Sequence, residues 1–487
     1  MTDASSEVEK SGFAGMHKLW TKKQFEDRNL ALEEALSNKV EVVRVSFVDQ
    51  HGVLRGKTIA ASALKSAFDS GITMTSTMLL KDTSHLTVFN VWDDDAGFGE
   101  GNMTGAGDVL MLPDPSTFKI LPWSTHTGWV LADLYHASGE PVALSTRAIL
   151  REAQGRLNGM GLEFIAGLEV EFHVFKKSDN QVSPNAMATP GNPPPTELIT
   201  AGYQYLTENC YDQAEAVFDL IRRNAEGLGL PIRSLEIEFG PSQFEVTFDP
   251  RPALEQADNM IMFRSMVKQV CARHGLHATF MCRPKFKEAL ASGWHLHQSL
   301  IDIDTKENVF IPDAGEAISK TGLHWIAGIL AHAEESCIFS TPTINGYKRY
   351  MPMSLAPDRI QWGQDNRGAM VRCLAKPGDK ASRIENRIGE PAANPYLYIT
   401  SQILSGMDGL MSQLDPPPAV SNRSTSVAKQ LPSCLQDALN AFSSGEFYSQ
   451  QIGKEFVTYY ARLKQAEWDR FLHTITDWEE REYFTLF

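Results

Sequence analysis

The chain lacks the marks of a secreted, membrane-bound or zinc-binding protein. Its 487 residues hold six cysteines (Cys210, Cys271, Cys282, Cys337, Cys373, Cys434), none at Cys-x-x-Cys spacing. Neither a zinc knuckle nor a disulfide framework is expected. No apolar run is long enough to span a bilayer, and the opening MTDASSEVEKSG lacks the apolar centre of a signal peptide. A cytoplasmic location with no membrane partner is therefore expected. Positive charge is scarce: 45 Lys and Arg against 60 Asp and Glu give a net charge of −15. That argues against nucleic acid as a partner, while leaving room for a local basic pocket around a small anion. The glycine-rich run GEGNMTGAGD is neither a Walker loop nor a Rossmann fingerprint. No internal repeat is visible.

What is present is globular. The hydrophobic share is 43%, and the length exceeds one small core, so two domains are expected, one of them large. Residues 1–20 read as a flexible arm and are followed by a helix, KKQFEDRNLALEEALSN. VEVVRVSFVDQHGVLRGKTIA alternates apolar and polar residues about Gly52, as a β-hairpin should, and a sheet-rich unit of residues 21–135 ends soon after the proline-rich DPSTFKILPW. From residue 136 to 487 the pattern is that of a larger domain with long amphipathic helices (TRAILREAQGRLNGMG, YDQAEAVFDLIRRNAEGLG, ALEQADNMIMFRSMVKQVCARHG) alternating with strands. SDNQVSPNAMATPGNPPPT reads as a surface loop.

Three short motifs carry chemistry. Glu169 and Glu171 in GLEVEF, and His295 and His297 in WHLH, stand two apart on apparent strands, so each pair shares a face while Leu168, Val170, Trp294 and Leu296 pack behind. Glu238 and Glu245 close a hairpin through EFGPSQFE. Converging carboxylates need cations. Oxygen donors with few imidazoles suit Mg²⁺ or Mn²⁺ better than zinc, and clustered ions of this kind usually handle phosphate. Further along, YKR349, DNR367GAMVR372 and SR383IE385NR387 set basic positions and a carboxylate where they could surround an anionic substrate. Each motif alone has a plainer reading, as solvent-facing strand, structural imidazole or solvated arginine.

Their order is more telling. GLEVEF, EFGPSQFE, SGWHLHQS, NGYKR, DNRGAMVR and SRIENRIGEPAANPY, in that sequence, resemble the glutamine synthetase superfamily from the VDQHGVLRGK hairpin to EPAANPYL. The resemblance implies an α+β fold: an N-terminal β-grasp domain and a large catalytic α/β domain with a curved antiparallel sheet. It also implies homo-oligomeric stacked rings, possibly a dodecamer, with each site between neighbouring subunits. Carried over by position, Glu171, Glu238 and Glu245 would hold one Mg²⁺ or Mn²⁺, and Glu169, His295 and Glu385 a second, bridging the phosphates of ATP. His297, Arg367, Arg372 and Arg383 match phosphate-contacting positions, Ser299 a nucleotide-contacting one, and Arg349 and Arg387 those that grip glutamate. Glu236 shares a face with Glu238 but lacks the family's spacing to Glu245. The implied chemistry is activation of a γ-carboxylate as an acyl phosphate, followed by amine attack.

The departures narrow the acceptor. The flap glutamate that serves ammonia is replaced by Leu355, while the ammonium-site aspartate survives as Asp49. A hydrophobic flap favours a bulkier, partly apolar amine. An arylamine such as aniline is already neutral near pH 7 and needs no strong base before attack. The combination is similar to the γ-glutamylamide ligase branch, and within it to the type acting on aniline. A polyamine or alkylamine acceptor, and a catalytically inactive binding or structural relative, are the competing readings. Leu290-Ala291 replaces the family's Asn-Gly and removes an amide that normally helps hold glutamate. No regulatory reading follows from PYLYITSQ.

Overall fold

In the computed structural model the described residues are 12–94, 101–179, 188–351, 355–421 and 427–487. Six strands form a first sheet: β1 Val42–Val48, β2 Leu54–Ala60, β3 Ile72–Thr75, β4 Asp108–Pro113, β5 Lys119–Leu121 and β6 Ser124–Tyr135. Their order is β2-β1-β6-β4-β3, with β5 on β6; β1 and β6 run parallel and the other pairs antiparallel. The expected hairpin is there, with Val48 opposite Leu54 and Gly52 at φ +73 in the turn. The helix Lys22–Ser37 begins with a capping box, Thr21 and Gln24 satisfying each other's backbone donors.

The arm expected over residues 1–20 needs correction where it is described. Gly12–Met16 is a short helix, and Ala14 is buried against Leu112 and Tyr135 with Phe13, Leu19 and Trp20 packed around it. Four apolar side chains in this segment give it surface to bury, which the polar opening residues lack. Residues 1–11 lie outside the described part, as do 180–187 of the proline-containing loop and 352–354 of the flap.

The second sheet has ten strands: β7 Leu162–Lys177, β8 Thr196–Glu197, β9 Ile232–Ile237, β10 Gln243–Phe248, β11 Arg251–Pro252, β12 Leu276–Thr279, β13 Trp294–Asp302, β14 Trp362–Gln364, β15 Val371–Leu374 and β16 Arg383–Gly389. The main path is β14-β15-β16-β13-β7-β10-β9, and β8, β11 and β12 pair with the length of β7. One face is apolar. Leu168, Val170, Phe172, Phe244, Val246, Trp294 and Leu296 are buried, and Phe172 meets Phe263 of the helix Ala253–Arg273 edge-on at 5.8 Å between ring centroids. The other face carries the polar side chains, as the two-residue alternation requires.

A buried ion cluster fastens the two sheets' surroundings together. Arg147, on the helix Thr146–Gly159, reaches Asp133 at 2.9 Å, Asp114 at 2.9 Å and Asp258 at 2.8 Å, and Tyr396 donates its hydroxyl to Asp258 at 2.6 Å. Asp114 and Asp133 belong to the first sheet's region; Asp258 and Tyr396 lie on helices behind the second. The hairpin turn is held from the same side: Arg264 donates to the Gly52 carbonyl at 2.9 Å, and Asn394 to that of Asp49 at 3.2 Å. No helix among the described residues is long and apolar enough to cross a membrane.

Candidate active site

Strand register turns the sequence motifs into three parallel rows on the polar face. In the first, Glu236 of β9, Glu245 of β10 and Glu171 of β7 stand opposite one another. Two residues along β7 is the second, where Glu169 faces His295 of β13. Two further is the third: Gly167, His297, Glu385 of β16 and Arg372 of β15. Adjacent strands lie about 4.8 Å apart and residues two apart about 6.6 Å, so the rows form a dense patch of acids and imidazoles. Glycine makes room for it. A Cβ on Gly167 would lie 3.2 Å from the His297 side chain, and one on Gly293 would lie 2.3 Å from the Arg349 guanidinium.

The imidazoles are oriented by arginines. Arg383 Nε donates to His297 Nδ1 at 3.1 Å, and Arg349 Nη2 donates to His295 Nε2 at 3.2 Å. Since arginine can only donate, the opposite ring nitrogens carry hydrogen and donate to Glu169: His295 Nδ1 at 2.7 Å and His297 Nε2 at 3.1 Å. Burial opposes ionisation of Glu169, yet the two imidazoles hold its pKa well below the carboxylate range. Glu385 is fully buried and also shifted down, by His295, His297 and Arg387 against the effect of burial; Arg387 and Arg372 both bond to it.

The first row is different in kind. Burial raises Glu171. Burial and then Glu171 push the Glu238 carboxyl up to about 8, and burial with Glu169, Glu171 and Glu238 pushes Glu245 up to about 11. Gln243 donates to Glu171 Oε2 at 2.8 Å and Ser234 to Glu236 at 2.7 Å, which is little compensation for four carboxylates. Such a set is stabilised by a cation, whose charge reverses the local preference for protonation. The donors fit a divalent ion: oxygens dominate, with imidazole second, as Mg²⁺ and Mn²⁺ accept. Ligand atoms of Glu169, Glu245 and His295, and of Glu169, His297 and Glu385, lie within 4.8 Å of one another. In these groupings Glu169 falls in both sets, and His297, expected at phosphate, stands with Glu169 and Glu385.

Glu169, Glu171, Glu236, Glu238, Glu245 and His295 line a cavity of about 660 Å³ together with Arg349, Arg367, Arg372, Arg387, Leu290, Ala291, Leu355 and Ala356, whereas His297, Ser299, Arg383 and Glu385 are not part of its lining. Leu355 is 64% exposed and Leu290 47%. Arg367 is exposed, and Ser299 follows His297 on the same strand face. Arg349 gives Nη1 to the carbonyls of Arg387 and Gly389, both at 3.0 Å. The buried Nε of Arg387 meets no hydrogen-bond partner among the described residues.

Within its own chain Asp49 is 1% exposed and does not line this cavity; the resemblance places it at the site of a neighbouring subunit. One oxygen accepts from the backbone of His51 and Val53, both at 2.9 Å, and the other from Arg55 Nε at 2.9 Å. An aspartate opening a tight turn caps the amides two and four residues on, and Asp49 does so here. Glu236, conversely, enters the acidic row opposite Glu245. Its spacing in the chain gave no sign of this, because cross-strand register is set by pairing and not by sequence distance.

The sheet, its two-residue alternation of acids and imidazoles and the arginine rim define a phosphoryl-handling fold. Residues 143–483 match the glutamine synthetase catalytic domain, and the chain belongs to the glutamine synthetase family. It is 42% identical to γ-glutamylanilide synthase of an Acinetobacter species over 98% of this chain and 99% of that one. It is 30% identical to glutamate–isopropylamine ligase of a Pseudomonas species, over 92% and 96% of the two chains. The solved structure of GmaS without ligand superposes with TM-score 0.78 at 28% identity, covering 93% of this chain and 99% of that one.

Proposed function

We propose that the protein is an ATP-dependent ligase that joins the γ-carboxylate of glutamate to an organic amine, with an arylamine such as aniline as the acceptor. The observation that carries this is the single cavity in which acidic rows, arginines and an apolar flank meet. In this reading an oxygen of the γ-carboxylate attacks the γ-phosphorus of ATP and ADP leaves. The amine nitrogen then attacks the acyl carbon, phosphate leaves, and the nitrogen loses its proton.

Glu171, Glu238 and Glu245 are the groups we assign to one divalent ion, and Glu169, His295, His297 and Glu385 to a second. Such ions, when bound, neutralise the charge of the transferring phosphoryl group. Arg367, Arg372 and Arg383 neutralise phosphate oxygens, with Ser299 beside the nucleotide. Arg387, whose Nε faces no acceptor among the described residues, and Arg349 hold glutamate. Charge-assisted bonds of this kind are the strong ones.

The acceptor assignment rests on Leu355. Leucine at the flap offers no base and no partner for a cation, and burying an ammonium there is costly. An arylamine needs neither. The relative at 42% identity is named for an anilide product, which agrees. We place the sites in a homo-oligomer of stacked rings with neighbouring subunits closing each one, and in the cytoplasm; light scattering of the purified protein tests the assembly.

The deciding experiment mixes enzyme, ATP, Mg²⁺ and glutamate with ammonium, putrescine, isopropylamine and aniline in turn and follows phosphate release with product mass. Aniline should give the highest kcat/KM. Glutamine formation of equal efficiency, or a polyamine as best acceptor, would reject the arylamine reading.

A further inference from the structure

We propose that Tyr205 and Phe239 form a rigid aromatic wall that binds the ring of the acceptor amine; this rests on the arylamine reading above. Both rings line the carboxylate cavity and stack face to face, with centroids 4.3 Å apart and planes 7° from parallel. Yet they are 41% and 39% exposed. A stacked pair left open beside polar groups presents an unfilled aromatic face, and aromatic pairs gain from a further offset or edge-on ring. Leu355 and Leu290, on the same cavity, supply apolar walls but no stacking partner.

The backbone holds the pair in place at some cost in strain. Tyr203 donates its N–H to the Phe239 carbonyl at 2.6 Å, and Leu206 to that of Ile237 at 3.3 Å, so the 203–206 segment is laced to the end of β9. Tyr203 and Leu206 bracket Tyr205 with φ of 65° and 57°, values that side-chain-bearing residues seldom adopt. Gly202 before them sits at φ +72, where a Cβ would come within 2.4 Å of the Pro241 nitrogen. Strained, over-determined segments of this kind concentrate at binding sites.

Position selects the ligand. Phe239 directly follows Glu238 and donates its N–H to that carboxylate at 3.2 Å, so the stack abuts the acidic row. Arg372 and Arg383, assigned to phosphate, lie on β15 and β16, across the sheet from β9. A ring held on the stack stands beside Glu238, across the sheet from the arginines assigned to phosphate. Burial and the adjacent carboxylates raise the Tyr205 hydroxyl to about 12, so it stays a neutral ring at working pH.

The test uses Tyr205→Leu, Phe239→Leu and Tyr205→Phe in the full chain, with kcat and KM measured for aniline, methylamine and ATP. Each leucine variant should lower the ratio of aniline to methylamine kcat/KM about tenfold, mostly through the aniline KM, and Tyr205→Phe, which keeps the ring, should hold the ratio within about twofold. A ratio that does not move in either leucine variant, in an enzyme whose wild type does favour aniline, overturns the wall. So does a loss that falls on the ATP KM, which would mean the stack holds adenine. A wild type that prefers alkylamines rejects the arylamine reading itself, and that outcome is read before any variant is made.

Discussion

Two clusters of buried charge in this chain use the same residue types to opposite ends. Around Arg147, three aspartates, a second arginine and a tyrosine satisfy one another with bonds of 2.6–3.0 Å. Burial alone would raise Asp133, but Arg151 and Arg147 bring it down to about 2. Among Glu171, Glu238 and Glu245 burial and mutual repulsion outweigh the one nearby arginine, Arg349, and Glu238 and Glu245 rise to about 8 and about 11. One cluster is complete within the protein and joins its parts. The other leaves charge uncompensated, and that is a requirement for a ligand: four carboxylates would not be kept together in a largely buried patch for stability's sake.

The strongest way to break the contrast is to remove its functional half. Glu238→Ala and Glu169→Ala should each lower turnover on the order of a thousandfold, about 4 kcal/mol of transition-state stabilisation, with melting temperatures near wild type. Chelation with EDTA should abolish activity, and Mg²⁺ or Mn²⁺ should restore it. Removing the structural half should do the reverse. Arg147→Ala leaves three aspartates, two of them buried, facing one another and should cost about 3 kcal/mol or more of stability, read by urea denaturation; an equal effect on turnover in the protein that remains folded would argue against the division.

A smaller effect comes from acid. Asp133 has a folded pKa below its unfolded value, so its contribution is present above about pH 4 and is lost as pH falls toward about 2, on the order of 2 kcal/mol in all. Urea midpoints between pH 5 and 2.5 should drop with that slope, and Asp133→Asn should flatten it. The smallest expected change is Leu355→Glu. At an exposed flap position it should alter stability by less than about 0.5 kcal/mol, while adding a carboxylate to an already acidic cavity and lowering aniline kcat/KM about tenfold.

The contrast also marks what the amino-acid sequence could reveal. Glu169 with Glu171 and His295 with His297 were legible, because alternation along one strand needs no knowledge of the rest of the fold. So was the hairpin that brings Glu238 and Glu245 together, and so were the long helices, which start within three residues of their expected positions: YDQAEAVFDLIRRNAEGLG begins at Glu208 instead of Tyr211. Features made between distant segments were not. The register that sets Glu236 opposite Glu245, the stack of Tyr205 on Phe239 and the salt links of Arg147 to Asp114, Asp133 and Asp258 join residues from 9 to 111 apart, with no local pattern to announce them.

The central claim is that the acidic rows are incomplete without a divalent ion whereas the Arg147 cluster is complete without one. Differential scanning fluorimetry on wild type, Glu245→Gln and Asp133→Asn, each with and without Mn²⁺, tests it most directly. Glu245→Gln should melt at or above the wild-type temperature in the absence of metal and lose most of the Mn²⁺-induced rise, while Asp133→Asn should melt several degrees lower and keep that rise in full. A Glu245→Gln protein that melts as low as Asp133→Asn yet is stabilised by Mn²⁺ as strongly as wild type would contradict the account.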